Sequence, residues 1–169
     1  IASADGYESG SDSLDVRDDD TTQVELAGDM LTITGSDERE DNLTLRIVGT
    51  DLAISDPFNA LATLGFGAPT VVANEIFVPL SSFPGGLNVD GKSLGDSIVI
   101  DESMDNATSA LLSFNGGSGS DTVIVEGAGL ILNLDQMTNV DQVDLNGSGE
   151  NQLVLDPDSV LQNILNGLT

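Results

Sequence analysis

DNLTLRIVGTDLAISDPFNALATLGFG at residues 41–67 and DQVDLNGSGENQLVLDPDSVLQNILNG at residues 141–167 are one pattern written twice, one hundred residues apart and without a gap. Identical residues fall at Asp41/Asp141, Leu45/Leu145, Gly49/Gly149, Asp56/Asp156, Pro57/Pro157, Leu61/Leu161 and Gly67/Gly167. Apolar residues also correspond at Leu43/Val143, Ile54/Val154, Ala60/Val160 and Leu64/Ile164. Internal repetition of this kind points to stacked units that cannot bury their apolar faces alone.

The rest of the chain carries the same punctuation. Short runs of alternating or β-branched apolar residues recur from residue 23 onward, each closed by Gly, Asp, Asn, Ser or Pro. Runs of that length and spacing are all-β. Asp or Asn followed by an apolar strand recurs at Asp41, Asp96, Asp121 and Asn151, at separations of 55, 25 and 30 residues. Read as one or two circuits each, these separations predict a right-handed parallel β-helix, a β-solenoid with three short strands per coil. Few tight Asn-Gly or Asp-Gly hairpin loops and only six Phe and Tyr residues argue against the alternative, a β-sandwich. Two helices are expected, at 57–66 and 157–166. Each follows an Asp-Pro pair that caps and opens it, and each closes on a glycine, Gly67 or Gly167. Residues 1–22, with the run Asp18-Asp19-Asp20, read as an acidic polar leader or linker, and 23–169 as the repeat-bearing domain. The opening Ile in place of Met suggests a processed or excised chain.

Charge narrows the partners. Twenty-nine Asp and Glu stand against four Lys and Arg, a net charge of −25, with no cysteine and no histidine. Nucleic acid and anionic lipid need a basic surface, and no apolar run approaches the ~20 residues of a membrane span. Hard carboxylate oxygens suit divalent cations, calcium above all. Enzyme chemistry is not expected. A lyase acting on an anionic polysaccharide needs a base and a cationic clamp, and the chain offers only Lys92, Arg17, Arg39, Arg46 and Tyr7. With so many acids, the spacing of any two carboxylates says nothing about glycoside hydrolysis.

Gly116-Gly117-Ser118-Gly119-Ser120-Asp121-Thr122-Val123-Ile124 follows the nonapeptide G-G-x-G-x-D-x-apolar-x throughout, and so resembles the repeats-in-toxin family of calcium-binding proteins. Residues 133–164 look like the segment that accompanies such repeats in very large secreted or surface-attached bacterial proteins. The resemblance implies calcium held by the carbonyls of Gly117 and Gly119 and the carboxylate of Asp121. Oxygens from a neighbouring turn, Asp96 or Asn151, would complete the site. Only one full copy is present, since 91–98 and 147–153 have lost glycines or the Asp. A glycine-rich turn without metal therefore stays open. Asp144-x-Asn146-x-Ser148-Gly149 matches the start of a second calcium loop, but Leu155 stands where a closing Glu is needed.

These readings converge on a non-enzymatic extracellular module, secreted or on a bacterial cell surface, serving adhesion or matrix building and stabilised by calcium. A subunit that self-assembles into a filament or matrix is the alternative, and a part of a polysaccharide-acting β-helix protein the second. Expected partners are adjacent modules or copies of the chain, with cell-surface or matrix glycans, and neither nucleic acid nor membrane insertion.

Overall fold

A computed structural model describes residues 21–66, 70–72, 74–145, 147 and 149–155. Fifteen strands follow in order. The first seven are β1 (Thr21–Ala27), β2 (Met30–Thr34), β3 (Asn42–Val48), β4 (Asp51–Ser55), β5 (Ala60–Leu64), β6 (Thr70–Val72) and β7 (Glu75–Pro79). The others are β8 (Gly86–Asp90), β9 (Ser97–Ile100), β10 (Leu112–Asn115), β11 (Thr122–Val125), β12 (Ile131–Asn133), β13 (Met137–Thr138), β14 (Gln142–Asp144) and β15 (Gln152–Val154). One turn of helix, α1 (Asn106–Ser109), is capped by Asp105, whose side chain accepts from the Thr108 N–H.

The strands make a six-stranded sheet, β13-β10-β8-β2-β1-β5, a seven-stranded sheet, β14-β11-β9-β3-β4-β7-β6, and a separate β12-β15 pair. Alternation places one face of each strand inward. Leu31 and Ile33 of β2, Leu43 and Leu45 of β3, Ile98 and Ile100 of β9 and Phe114 of β10 join one apolar core.

The all-β class holds, but the right-handed parallel β-helix expected from the sequence does not form, because both large sheets are mixed. β1 pairs antiparallel with β2, β3 with β4, β4 with β7 and β7 with β6. Two loops decide the first two of these pairings. Ala27 pairs with Met30 and Val48 with Asp51. That leaves Gly28-Asp29 and Gly49-Thr50 as two-residue connections whose glycines adopt φ of +66° and +65°. Glycine enters that region without steric cost, so the chain turns back at once. Local return also avoids the closure entropy of a long crossover. From β8 onward every described pairing is parallel: β2 with β8, β8 with β10, β10 with β13, β3 with β9, β9 with β11, β11 with β14 and β12 with β15.

The first Asp-Pro helix is also corrected. Asp56 does catch the N–H groups of Phe58 (2.8 Å) and Asn59 (3.3 Å), as a cap would. Residues 60–64 then form β5, parallel to β1 in the register Thr21↔Ala60 to Glu25↔Leu64. The second Asp56 oxygen is held by Thr22 of β1, at 2.9 Å, and this sets the following residues alongside that strand instead of winding them. Thr21 and Thr22, read with the leader, belong to β1, with Thr22 fully buried. The second predicted helix, 157–166, lies outside the described residues.

Candidate functional site

Each strand of the parallel column β3, β9, β11, β14 is entered through an aspartate: Asp41, Asp96, Asp121 and Asp141. The pattern is Asp-x-apolar-x-apolar: Asp41/Leu43/Leu45, Asp96/Ile98/Ile100, Asp121/Val123/Val125, Asp141/Val143/Leu145. Side chains two apart share a face in extended backbone, and Asp41, Asp96 and Asp121 lie on the core side of their strands, while Asp141 at the end of the column is exposed. Asp41, Asp96 and Asp121 are 2%, 2% and 1% exposed.

Their carboxylates tie one tier to the next. The Asp41 N–H donates to Asp96 Oδ1 at 2.8 Å, the Asp96 N–H to Asp121 Oδ1 at 2.8 Å, and the Asp121 N–H to Asp141 Oδ2 at 2.8 Å. Beside this column runs a second one of glycines. The Gly35 N–H donates to the Asp90 carbonyl, that of Gly91 to Asn115 and that of Gly116 to Thr138. A Cβ on Gly91 would stand 2.5 Å from Asp96 Oδ2 and 2.7 Å from the Gly116 carbonyl oxygen. A side chain there displaces the buried carboxylate, so the corner requires glycine.

The column ends against β1. Thr22 Oγ1 lies 2.9 Å from Asp41 Oδ1 and 2.9 Å from Asp56 Oδ2. Asn59 Nδ2 donates to the same two oxygens at 2.8 and 3.1 Å. The Ser36 N–H holds the other Asp41 oxygen at 2.9 Å. Asp56 is 0% exposed. Burial pushes the Asp41 carboxyl up to about 7, with the Asp56 carboxylate adding to the effect. Asp96 is also pushed up to about 7 by burial, with Asp41 and Asp121 adding, and Asp121 is raised for the same reason.

The six described residues singled out for calcium are spread over the Asp96/Asp121 column, the Gly117/Gly119 loop, the Asn151 corner and β14. Asp96 and Asp121 are adjacent, but each already accepts a backbone N–H and is shut from solvent. Gly117 and Gly119 serve a close approach: a Cβ on either would strike the Lys92 or Leu94 carbonyl oxygen of the loop packed against them. The Ser118 N–H bonds the Lys92 carbonyl at 3.0 Å. Asn151 works at another corner, accepting from the Leu130 N–H and donating to the Gly127 carbonyl. Asp144 lies in β14, and Asn146 is outside the described residues. Among the described residues, no group of three or more acidic side chains is placed to hold a metal ion.

Recurrence of Asp41, Asp96 and Asp121 is visible in the sequence; their burial, and the roles of Asp56, Thr22 and Asn59, are not. The overlooked signal is parity. Each of these three aspartates lies an even number of residues before core positions, the parity of the inward face. No family model, no curated protein and no solved structure matches the chain.

Proposed function

We propose that this chain is a non-enzymatic structural module of a secreted or cell-surface bacterial protein, serving adhesion or matrix building, with calcium acting as a counterion for its acidic surface. One observation supports the reading above the others. The gathered carboxylates are spent on holding backbone to backbone between tiers, inside the domain, rather than aimed into a cleft where a substrate would meet them. The Gly116–Ile124 nonapeptide keeps its likeness to the repeats-in-toxin pattern, but its glycines and aspartate have a stacking role here.

A second reading, a self-assembling subunit, is favoured by a different feature. Residues 57–74 contain no charged residue, and 57–89 only Glu75, in a chain of net charge −25. That stretch supplies β5 and β6, one outer strand of each large sheet. Leu64, Val71 and Val72 are exposed there at 51%, 55% and 54%. Edge strands are ordinarily guarded by charge, and unguarded ones pair with other strands. Acidic copies repel everywhere else.

Thermal melts in calcium and in sodium chloride of matched ionic strength, with light scattering on the same samples, separate the readings. A structural module with a diffuse counterion gains equally from both salts and stays monomeric. Assembly through the uncharged edge gives a mass that grows with protein concentration and is abolished by Val71→Lys. A calcium increment beyond matched salt would restore a specific metal site and overturn the counterion reading.

A further inference from the structure

We infer that the buried aspartate column is a proton-holding spine, which tightens the folded domain as the medium acidifies and loosens it as the medium turns alkaline.

Hydrogen counting at the β1 end carries the first step. Thr22 has one hydroxyl proton, yet its oxygen lies 2.9 Å from Asp41 Oδ1 and 2.9 Å from Asp56 Oδ2. Shared between two carboxylates, that proton leaves both contacts weak, whereas a proton on one carboxyl gives each contact its own hydrogen. Asn59 cannot make up the deficit. Its two amide hydrogens already face three acceptors, Asp41 Oδ1, Asp56 Oδ2 and the Glu40 carbonyl. Asp96 supplies a second, separate observation. Its Oδ1 receives the Asp41 N–H, while Oδ2 has no partner in a side chain 2% exposed. A bare, charged oxygen in that position is costly, and a proton removes the charge.

Among the described residues, no cation acts on Asp41, Asp96 or Asp121. The groups facing Asp41 are Thr22 from β1, Ser36 from its own loop, Asp56 and Asn59 beyond β4, and Asp96 from the next tier. Asp96 faces Asp41, Asp121 and Glu40, and Asp121 faces Asp96 and Asp141. Lys92 is engaged with Asp90 at 2.8 Å and Arg46 with Glu75 at 2.7 Å. Among the described residues, every charged group that acts on these three aspartates is an acid.

The upward shifts of Asp41 and Asp96, to about 7 from an ordinary 3.8, agree with this geometry. A raised carboxyl contributes stability that is complete below the unfolded value and lost as pH climbs through the folded one. Between about pH 4 and 7 the native chain keeps protons that the unfolded chain has released. Each such proton multiplies the unfolding constant about tenfold per pH unit.

The test is urea unfolding of the intact chain at pH 5, 6, 7 and 8, in high salt so that surface repulsion is screened. Asp96→Asn is compared with wild type and with the exposed control Glu102→Gln. Asparagine keeps an oxygen for the Asp41 N–H and places a neutral amide where the protonated oxygen stood. The expected result is a wild-type unfolding constant rising tenfold or more per unit between pH 5 and 7. Asp96→Asn should lose about tenfold per unit of that slope and be more stable than wild type at pH 8, with Glu102→Gln unchanged. An Asp96→Asn slope equal to wild type overturns the inference. Should the variant not fold, infrared spectra of wild type decide: a carboxylic-acid carbonyl band at pH 6 that vanishes on unfolding supports the spine, and its absence from the folded chain overturns it.

Discussion

Asp41–Leu45 and Asp141–Leu145 are the same pattern and occupy the same column, yet the chain that follows them behaves differently. After β3, Gly49 turns the backbone in a two-residue loop and β4 returns antiparallel, Leu45 opposite Ile54. After β14, seven residues intervene before β15, which joins β12 in a parallel pair, Leu132 opposite Leu153. Ile54 and Val154, matched in the repeat, therefore have unlike neighbours. The first is fully buried and the second 46% exposed. A strand's entry residues set its place in the stack, while the length of the following connection decides whether the next strand pairs locally or with another tier.

The sharpest way to break this comparison is to truncate equivalent positions. Leu45 is 0% exposed in the core, whereas Leu145 is half-buried. Leu45→Ala should cost about 2–5 kcal/mol in urea unfolding. Leu145→Ala should cost roughly 1 kcal/mol, in proportion to its smaller buried area. Equal losses would mean that the two halves of the repeat are equally packed.

Glycine substitutions separate the two kinds of connection. Gly119, at φ +147°, has the Leu94 carbonyl where a Cβ would go, whereas Gly49, at +65°, has open space. Gly119→Ala should cost about 3 kcal/mol, from overpacking plus backbone strain. Gly49→Ala carries strain alone, about 1 kcal/mol. If Gly49→Ala proved the more damaging in thermal unfolding, the stacked loops would be looser than their contacts imply.

The smallest effect belongs to the antiparallel half. Arg46 of β3 reaches across β4 to Glu75 of β7, with Nε–Oε1 at 3.0 Å and a second contact of 2.7 Å. Glu75→Gln should cost about 0.2–1 kcal/mol, less at high salt, because the pair is partly exposed. A salt-independent loss above about 2 kcal/mol would make this bridge part of the core framework.

Legibility followed the range of the interaction. Strand positions such as 30–34, 43–48 and 97–100 were readable because alternation is local. The Asp-Pro pair at 56–57 misled because its cap hydrogen bonds do form, and only the Thr22 contact from a distant strand turns the next residues into β5. At Gly117, Gly119 and Asp121 the structure adds long-range contacts that the calcium reading did not contain. The glycines are needed for backbone approach and the aspartate for an N–H in the preceding tier.

By itself the sequence determined the all-β class, the recurrence of Asp-led strands and the acidic balance, since each rests on residue type and short-range period. Tertiary structure alone decided the mixed sheets, the burial of Asp41, Asp96 and Asp121, and the shared oxygens of Thr22, Asp56 and Asn59. The reason is physical. Strand direction and carboxylate burial depend on which backbone lies 4.8 Å away, and residues 20 to 55 positions distant supply that backbone here.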